Sequence, residues 1–203
     1  MSKAIPRLDL REMPDGLAAA LQPRVERLGY LGEFFRVAGH QPQALEAFVD
    51  FTESAKSDLP KALVEVIALT CAAHLGNAYE RHQHERLSVR LGLGRDWVEA
   101  VERLNPDGLN PDGLGLEEET PKGTQALSEA ECAVQRYLLA ALESHGRSEA
   151  AHTTFEHLVE LLGHRQAVAV MMVAGRYLVH ALIVNTLALE PPVPSIFEDG
   201  FVG

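Results

Sequence analysis

The segment that decides the fold covers residues 60–95 and reads PKALVEVIALTCAAHLGNAYERHQHERLSVRLGLGR. Its first half, from Ala62 to His74, is almost wholly apolar and rich in alanine, which predicts a buried helix. Gly76 ends that helix, and a second helix is expected over residues 78–91. The start of this second helix, LGNAYERHQHE at residues 75–85, is crowded with polar side chains. Such a segment directly after a buried helix is either a solvated helix start or a functional site.

Spacing alone favours the solvated helix start. Asn77 and Glu80 fit a capping box, in which Asn77 accepts a hydrogen bond from the third helical amide and Glu80 reaches back to the cap. Glu80 and His84 lie four residues apart on one helix face, where an ion pair contributes about 0.2–0.5 kcal/mol.

Glu65 favours the functional site. It lies in the middle of the apolar helix, where an ionised carboxylate costs several kcal/mol unless it has a partner. A glycine turn brings the next helix back alongside, so Glu65 is expected to meet His84 or Glu80. A buried carboxylate beside a second carboxylate and a histidine has the makings of an acid/base set. The alternative is that Glu65 reaches solvent.

A metal site is not expected here. Glu80 and His84 could supply two ligands, but no further ligands follow at useful spacing, and His82 points to a different helix face. No cofactor is expected either.

The rest of the chain predicts an all-α fold of seven or eight helices, because apolar residues recur at spacings of three and four. An apolar helix over residues 166–189 is expected to be buried or to form a subunit interface, with Arg176 and His180 in structural roles. The turn motif NPDGL, repeated in tandem, lies in a long linker. The predicted organisation is an extended N-terminal tail at 1–23, a core helical motif at 24–104, a linker loop at 105–127, a C-terminal helical part at 128–190 and a tail at 191–203.

Composition narrows the class of partner. The formal net charge is −11, which argues against nucleic acid and against an anionic membrane surface as partners. The two cysteines, Cys71 and Cys132, are far apart and form no CxxC pair, which suits a reducing cytoplasm. With no signal peptide and no membrane span expected, the sequence predicts a cytoplasmic protein.

Residues 60–95 resemble the core of the carboxymuconolactone decarboxylase and alkylhydroperoxidase D superfamily. Glu65 matches the leading glutamate of that core, and Tyr79 and His84 match its motif tyrosine and histidine. Asn77 and Glu80 stand where many members carry the two cysteines of a C-x-x-C-x-x-x-H motif. The resemblance implies an alkylhydroperoxidase D-like helical bundle with a second C-terminal helical hairpin.

The resemblance also implies a chemistry. Thiol peroxidase activity is disfavoured, because Asn77 and Glu80 cannot replace a peroxidatic cysteine pair. Cofactor-free acid/base chemistry, decarboxylation or isomerisation of a small carboxylated lactone or related acid, is expected instead. The resemblance implies these roles: His84 as general acid/base, Glu80 as its partner or as a base, Glu65 as relay, Tyr79 as hydrogen-bond donor, and Asn77 and Arg81 as substrate-binding residues.

A member without its cysteines could also persist as a binding or assembly protein. Members of the superfamily form trimers or hexamers through apolar helices, so a homo-oligomer is expected under either interpretation.

Overall fold

The computed structural model describes residues 4–107, 127–198 and 201, and within them it contains eight α-helices and no strand. The predicted all-α class is therefore confirmed. A short 3₁₀ helix over Leu10–Glu12 precedes the first α-helix. The α-helices are α1 Asp15–Leu28, α2 Glu33–Ala38, α3 Pro42–Lys56, α4 Lys61–His74, α5 Ala78–Arg90, α6 Arg95–Glu102, α7 Glu129–Ser144 and α8 Glu149–Thr186.

Helix α4 is the centre of the main core. Its residues from Leu63 to Ala72 are all buried, and it packs against α5, α6, α7 and α8. Gly76 takes a positive φ of 63° in the turn after α4, which a residue with a Cβ rarely adopts. Asn77 then caps α5, because its side-chain oxygen accepts a hydrogen bond from the Glu80 amide at 3.2 Å. The two helices form a hairpin that turns their polar residues toward each other.

Helix α8 is the longest element and supplies the other wall of the polar cluster described below. Gly163 interrupts it with non-helical φ 77° and ψ 163°, so two helical segments meet at a kink. By length and composition α8 could cross a membrane, but 56% of its most apolar window is buried inside the fold. One such helix is weak evidence for a membrane span, because the core helix of a soluble protein passes the same test of length and composition.

The N-terminal prediction is wrong, because residues 15–23 are helical rather than extended. Pro14 sits at the N-cap of α1, where the lack of an N–H costs nothing. Leu17 and Leu21, four residues apart, are buried in a second core with Phe34 and Leu45. This apolar face is what holds α1 on the bundle.

The loose C-terminal tail predicted for 191–203 is also wrong in its described part. Ile196 is fully buried. The Ser195 hydroxyl and the Ile196 amide both donate to Glu85 Oε2, at 2.6 and 2.8 Å. The buried Glu85 carboxylate therefore has its partners in this segment. Of the predicted linker at 105–127, the structure describes only residues 105–107 and 127, so most of the NPDGL tandem lies outside the described residues.

Candidate active site

The hairpin of α4 and α5 joins Glu65 to His84, as the sequence led us to expect. His84 Nδ1 lies 2.7 Å from Glu65 Oε2, and the Ser88 hydroxyl donates to the same oxygen at 3.4 Å. All three residues are buried. Glu65 is thus a partnered interior carboxylate and not a helix position that reaches solvent.

The other ring nitrogen of His84 faces two oxygens. His84 Nε2 lies 3.0 Å from the Tyr177 hydroxyl and 3.3 Å from Glu80 Oε2. Burial alone would lower the pKa of His84, but attraction to Glu65 and hydrogen bonds to Glu65 and Glu80 outweigh burial and raise it to about 9. Near neutral pH, His84 is therefore an imidazolium with a proton on each nitrogen.

Glu80 does not complete the expected capping box. Its carboxylate turns inward, where Arg176 donates from Nη1 to Oε1 at 2.7 Å and His180 Nε2 lies 3.0 Å from the same oxygen. Burial opposes ionisation of Glu80, but His180 and Arg176 outweigh burial and hold its pKa well below the usual range. Glu80 is a fixed anion, which makes it unsuited to carry a proton near neutral pH.

His180 completes the cluster as a neutral ring. Burial lowers its pKa despite the nearby Glu80, so Nε2–H donates to Glu80 while Nδ1 faces the Asn77 amide nitrogen at 3.4 Å. Phe34 stacks on the ring at 4.1 Å between centroids. Asn77 therefore both caps α5 and orients His180.

The charges of the cluster balance. Glu65 and Glu80 supply two anions, and His84 and Arg176 supply two cations. Such compensation is what a buried charged network requires.

Two of the predicted site residues, Arg81 and Tyr79, are not among the groups that contact His84. Arg81 pairs with Glu85, Nε to Oε1 at 3.4 Å, because one helical step from Glu80 rotates the side chain by about 100°. The Tyr79 hydroxyl accepts a hydrogen bond from the Phe34 amide at 3.4 Å, and burial raises its pKa. The structure therefore gives Arg81 no contact with the cluster and gives Tyr79 a place in its wall.

Sequence reasoning missed the three residues that α8 contributes: Arg176, Tyr177 and His180. A usable signal was present, since Arg176 and His180 lie four apart in an otherwise apolar helix. Burying an unpartnered charge costs free energy for an arginine as it does for Glu65, so Arg176 in an apolar helix also predicts a partner.

An apolar cavity of about 630 Å³ backs onto the cluster. Phe34 and Phe48 line it; the first stacks on His180, and the second lies 5.6 Å from the Arg176 guanidinium. The volume is in the range of small-molecule pockets.

Thiol and metal chemistry have little support in the described part of the chain. Cys71 is buried and unpaired, and desolvation raises its thiol pKa to about 12, so the nucleophilic thiolate is not available near neutral pH. Within residues 4–107, 127–198 and 201, no group of three or more His, Cys, Asp or Glu side chains could hold a metal ion.

Solved structures share this architecture. A peroxidase-related protein from Ralstonia eutropha JMP134 with an alkylhydroperoxidase AhpD core matches with a TM-score of 0.70 and 17% identity, covering 92% of this chain and 90% of its own. The debrominase Bmp8, in complex with 2,3,4-tribromopyrrole, matches with a TM-score of 0.71 and 16% identity over 94% and 92% of the two chains. A putative antioxidant defence protein AhpD from Agrobacterium tumefaciens matches with a TM-score of 0.59 and 18% identity over 77% and 96%.

No protein-family model and no curated protein matches the sequence. At these identities the solved structures establish the fold, and the resemblance to the AhpD-like fold is confirmed.

Proposed function

Starting from an AhpD-like fold with a charged cluster in its interior, we propose that this protein is a cofactor-free catalyst of proton transfer. The substrate is a small carboxylated lactone or related acid, and the reaction is decarboxylation or isomerisation. The observation that carries the proposal is His84, held as an imidazolium between Glu65 on one side and Tyr177 with Glu80 on the other.

His84 acts as the general acid. In a decarboxylation, the bond from the substrate to its carboxylate breaks, and its electron pair remains on the substrate as an enolate. The proton on His84 Nε2 then passes to that carbanionic carbon, and solvent returns a proton to His84. With its pKa raised to about 9, His84 is in its acid form near neutral pH, and a positioned general acid contributes about 10²–10⁴ to the rate.

The carboxylates have different roles. Glu65 orients the ring through Nδ1 and stabilises the imidazolium, as a carboxylate does for a catalytic histidine. Glu80 is locked as an anion by Arg176, so it supplies electrostatic support rather than the base role that the sequence suggested. Tyr177, beside Nε2, directs the proton that is transferred.

A protein of similar fold and the apolar cavity support a reaction on a small molecule, and the buried cysteine argues against thiol chemistry. The Bmp8 structure holds a small cyclic molecule, and the cavity behind Phe34 is of a size for such a ligand. Peroxidase chemistry is disfavoured, because it needs a thiolate and Cys71 is buried with a raised pKa.

The second candidate function is binding or assembly. It is favoured by an exposed apolar stripe on α8, a face on which a second copy of the chain would pack into a homo-oligomer. The residues of the stripe are Val168, Met171, Met172, Leu178, Val179 and Leu182. A cytoplasmic location and the absence of nucleic-acid and membrane partners remain part of both proposals.

The test is a screen of carboxylated lactones and unsaturated acids in D₂O, with released CO₂ and deuterium incorporation as readouts. We expect His84→Gln to lose turnover by at least about 10²-fold. The matched control is His82→Gln, a histidine on the same helix that contacts the Val193 carbonyl instead. Turnover retained in His84→Gln would contradict the assignment. If no acid reacts and Leu182→Glu dissociates an oligomer in sedimentation, the assembly function replaces the catalytic one.

A further inference from the structure

Lys56, at the end of α3, is a cation without a counter-ion. Its ammonium nitrogen lies 5.6 Å from the centroid of the Tyr177 ring. Among the described residues it has no hydrogen bond and no carboxylate within ion-pair distance. Glu53, one turn earlier, is already paired with Arg24 at 3.0 Å. Burial lowers the pKa of Lys56, and repulsion by Arg176 lowers it further, while longer-range attraction to Glu80, Glu53 and Glu65 opposes this.

Arg176 contacts the same tyrosine ring and has an unused donor. Its guanidinium carbon lies 4.4 Å from the Tyr177 centroid. Nη1 donates to Glu80, but Nε is buried and has no hydrogen-bond partner. A buried donor left without an acceptor destabilises the folded state. An incoming oxygen anion would remove that destabilisation.

The charge balance points to the same ligand. The two anions and two cations around His84 compensate each other without Lys56, so Lys56 leaves one uncompensated positive charge at the edge of the cluster. Two cations that contact one ring repel each other, and an anion between them converts that repulsion into attraction. Carboxylates are natural ligands for such a pair, because charge-assisted hydrogen bonds from arginine and lysine are about twice as strong as neutral ones.

We infer that Lys56 and Arg176 form a carboxylate-binding subsite beside the His84–Tyr177 pair. The subsite rests on the proposed function and adds to it the charge of the substrate: a small organic acid, bound as its anion. It also moves the substrate-binding role from Arg81, which is committed to Glu85, to two residues on α3 and α8. Both cations contact the ring of Tyr177, whose hydroxyl lies 3.0 Å from His84 Nε2.

The experiment is titration calorimetry of the full chain with benzoate and with benzamide, two probes of nearly the same shape of which only benzoate is charged. Lys56→Met removes the cation and keeps much of its packing, and Lys56→Arg restores the charge. Lys61→Met is the matched control, because Lys61 is an exposed lysine at the start of α4. Loss of one charge-assisted contact of about 1.5–3 kcal/mol corresponds to roughly a tenfold to hundredfold weaker Kd.

We expect wild type to bind benzoate and not benzamide, Lys56→Met to weaken benzoate at least tenfold, and Lys56→Arg and Lys61→Met to stay near wild type. Glu80→Gln should tighten benzoate, because it removes the anion that competes for Arg176; Lys56→Met decides the question alone if Glu80→Gln does not fold. Equal binding of the two probes, no benzoate binding at the solubility limit, or equal affinities for Lys56→Met and Lys61→Met would each overturn the subsite.

The two proposals fail separately. Lys56→Met reports on the subsite through benzoate affinity, and His84→Gln reports on proton transfer through turnover, so each proposal is read from its own substitution. If benzoate binding depends on Lys56 while no acid is turned over, the subsite stands and the catalytic proposal falls. If turnover depends on His84 but benzoate binding is indifferent to Lys56, the subsite falls alone.

Discussion

The protonated His84 makes the stability of the fold depend on pH in a defined direction. In the folded chain its pKa is about 9, against 6.5 for an unperturbed histidine. Below 6.5 the ring is charged in both the folded and the unfolded states, and the stabilisation by Glu65 and Glu80 is fully present. Between 6.5 and about 9 only the folded state holds the proton, so the free energy of unfolding falls as pH rises.

The magnitude follows from the two pKa values. One pKa unit corresponds to about 1.4 kcal/mol, so raising the pKa from 6.5 to about 9 stabilises the fold by about 3 kcal/mol. Desolvation of the ring is already included in that figure, because burial opposes the shift and the two carboxylates overcome it. We expect this contribution to be lost by about pH 9.5, above both pKa values.

The assay is urea unfolding at a series of pH values from about 6 to about 9.5. Wild type should lose about 3 kcal/mol more than His84→Gln over this range, since the glutamine cannot titrate. Comparing the two chains cancels the titration of groups that both retain. His82→Gln should show the pH dependence of wild type. Parallel pH profiles for wild type and His84→Gln would refute the imidazolium and with it the general-acid role.

Two further outcomes follow from the structure. Burial and the neighbouring Glu85 raise the pKa of Glu102 from 4.5 to about 7. Ionising Glu102 therefore costs the folded state nothing below pH 4.5 and increasingly more as pH rises towards about 7, so the free energy of unfolding falls over that window. The unfolding free energy of Glu102→Gln should vary less than that of wild type between about pH 5 and about pH 8. Gly163 adopts φ 77° and ψ 163°, a conformation essentially restricted to glycine, so Gly163→Ala should lower the free energy of unfolding by about 1–3 kcal/mol in the same urea assay. Gly175→Ala, in regular helix with open space around its Cβ position, should instead leave stability unchanged or raise it by up to about 1 kcal/mol.

The sequence predicted the contact between Glu65 and His84, because an unpartnered carboxylate in an apolar helix has a high free-energy cost. Glu65 in an apolar helix needs a partner, and the short glycine turn leaves few candidates, so its contact with His84 could be anticipated. The same local reasoning identified Asn77 as a helix cap. It could not give the direction of the Glu80 side chain, because the capping box and the inward conformation have the same sequence spacing.

The contacts made by α8 depend on the packing of distant helices. Tyr177 meets His84 across 93 positions, and Arg176 meets Glu80 across 96. Periodicity shows which face of α8 is apolar but not which helix covers it. The same limit explains why the C-terminal segment was wrongly predicted as a loose tail. Nothing in the sequence near Ser195 indicates that Glu85, 110 positions earlier, is its partner.

The free energy of burying this charged cluster indicates whether it has a function beyond stabilising the fold. Apolar side chains of similar volume hold a helical core at least as well as a buried ion network, and replacing such a network by them is often neutral or stabilising by about 1–4 kcal/mol. Stability alone therefore gives no reason to place Glu65, Glu80, His84 and Arg176 together in the interior of the bundle. Charge compensation among these four residues also does not explain why Arg176 Nε has no acceptor or why Lys56 has no ion-pair partner. Both features destabilise the fold without adding contacts within the chain. Both features have a physical reason if an anionic ligand completes the site, so the arrangement favours a binding and proton-transfer function over a purely structural one.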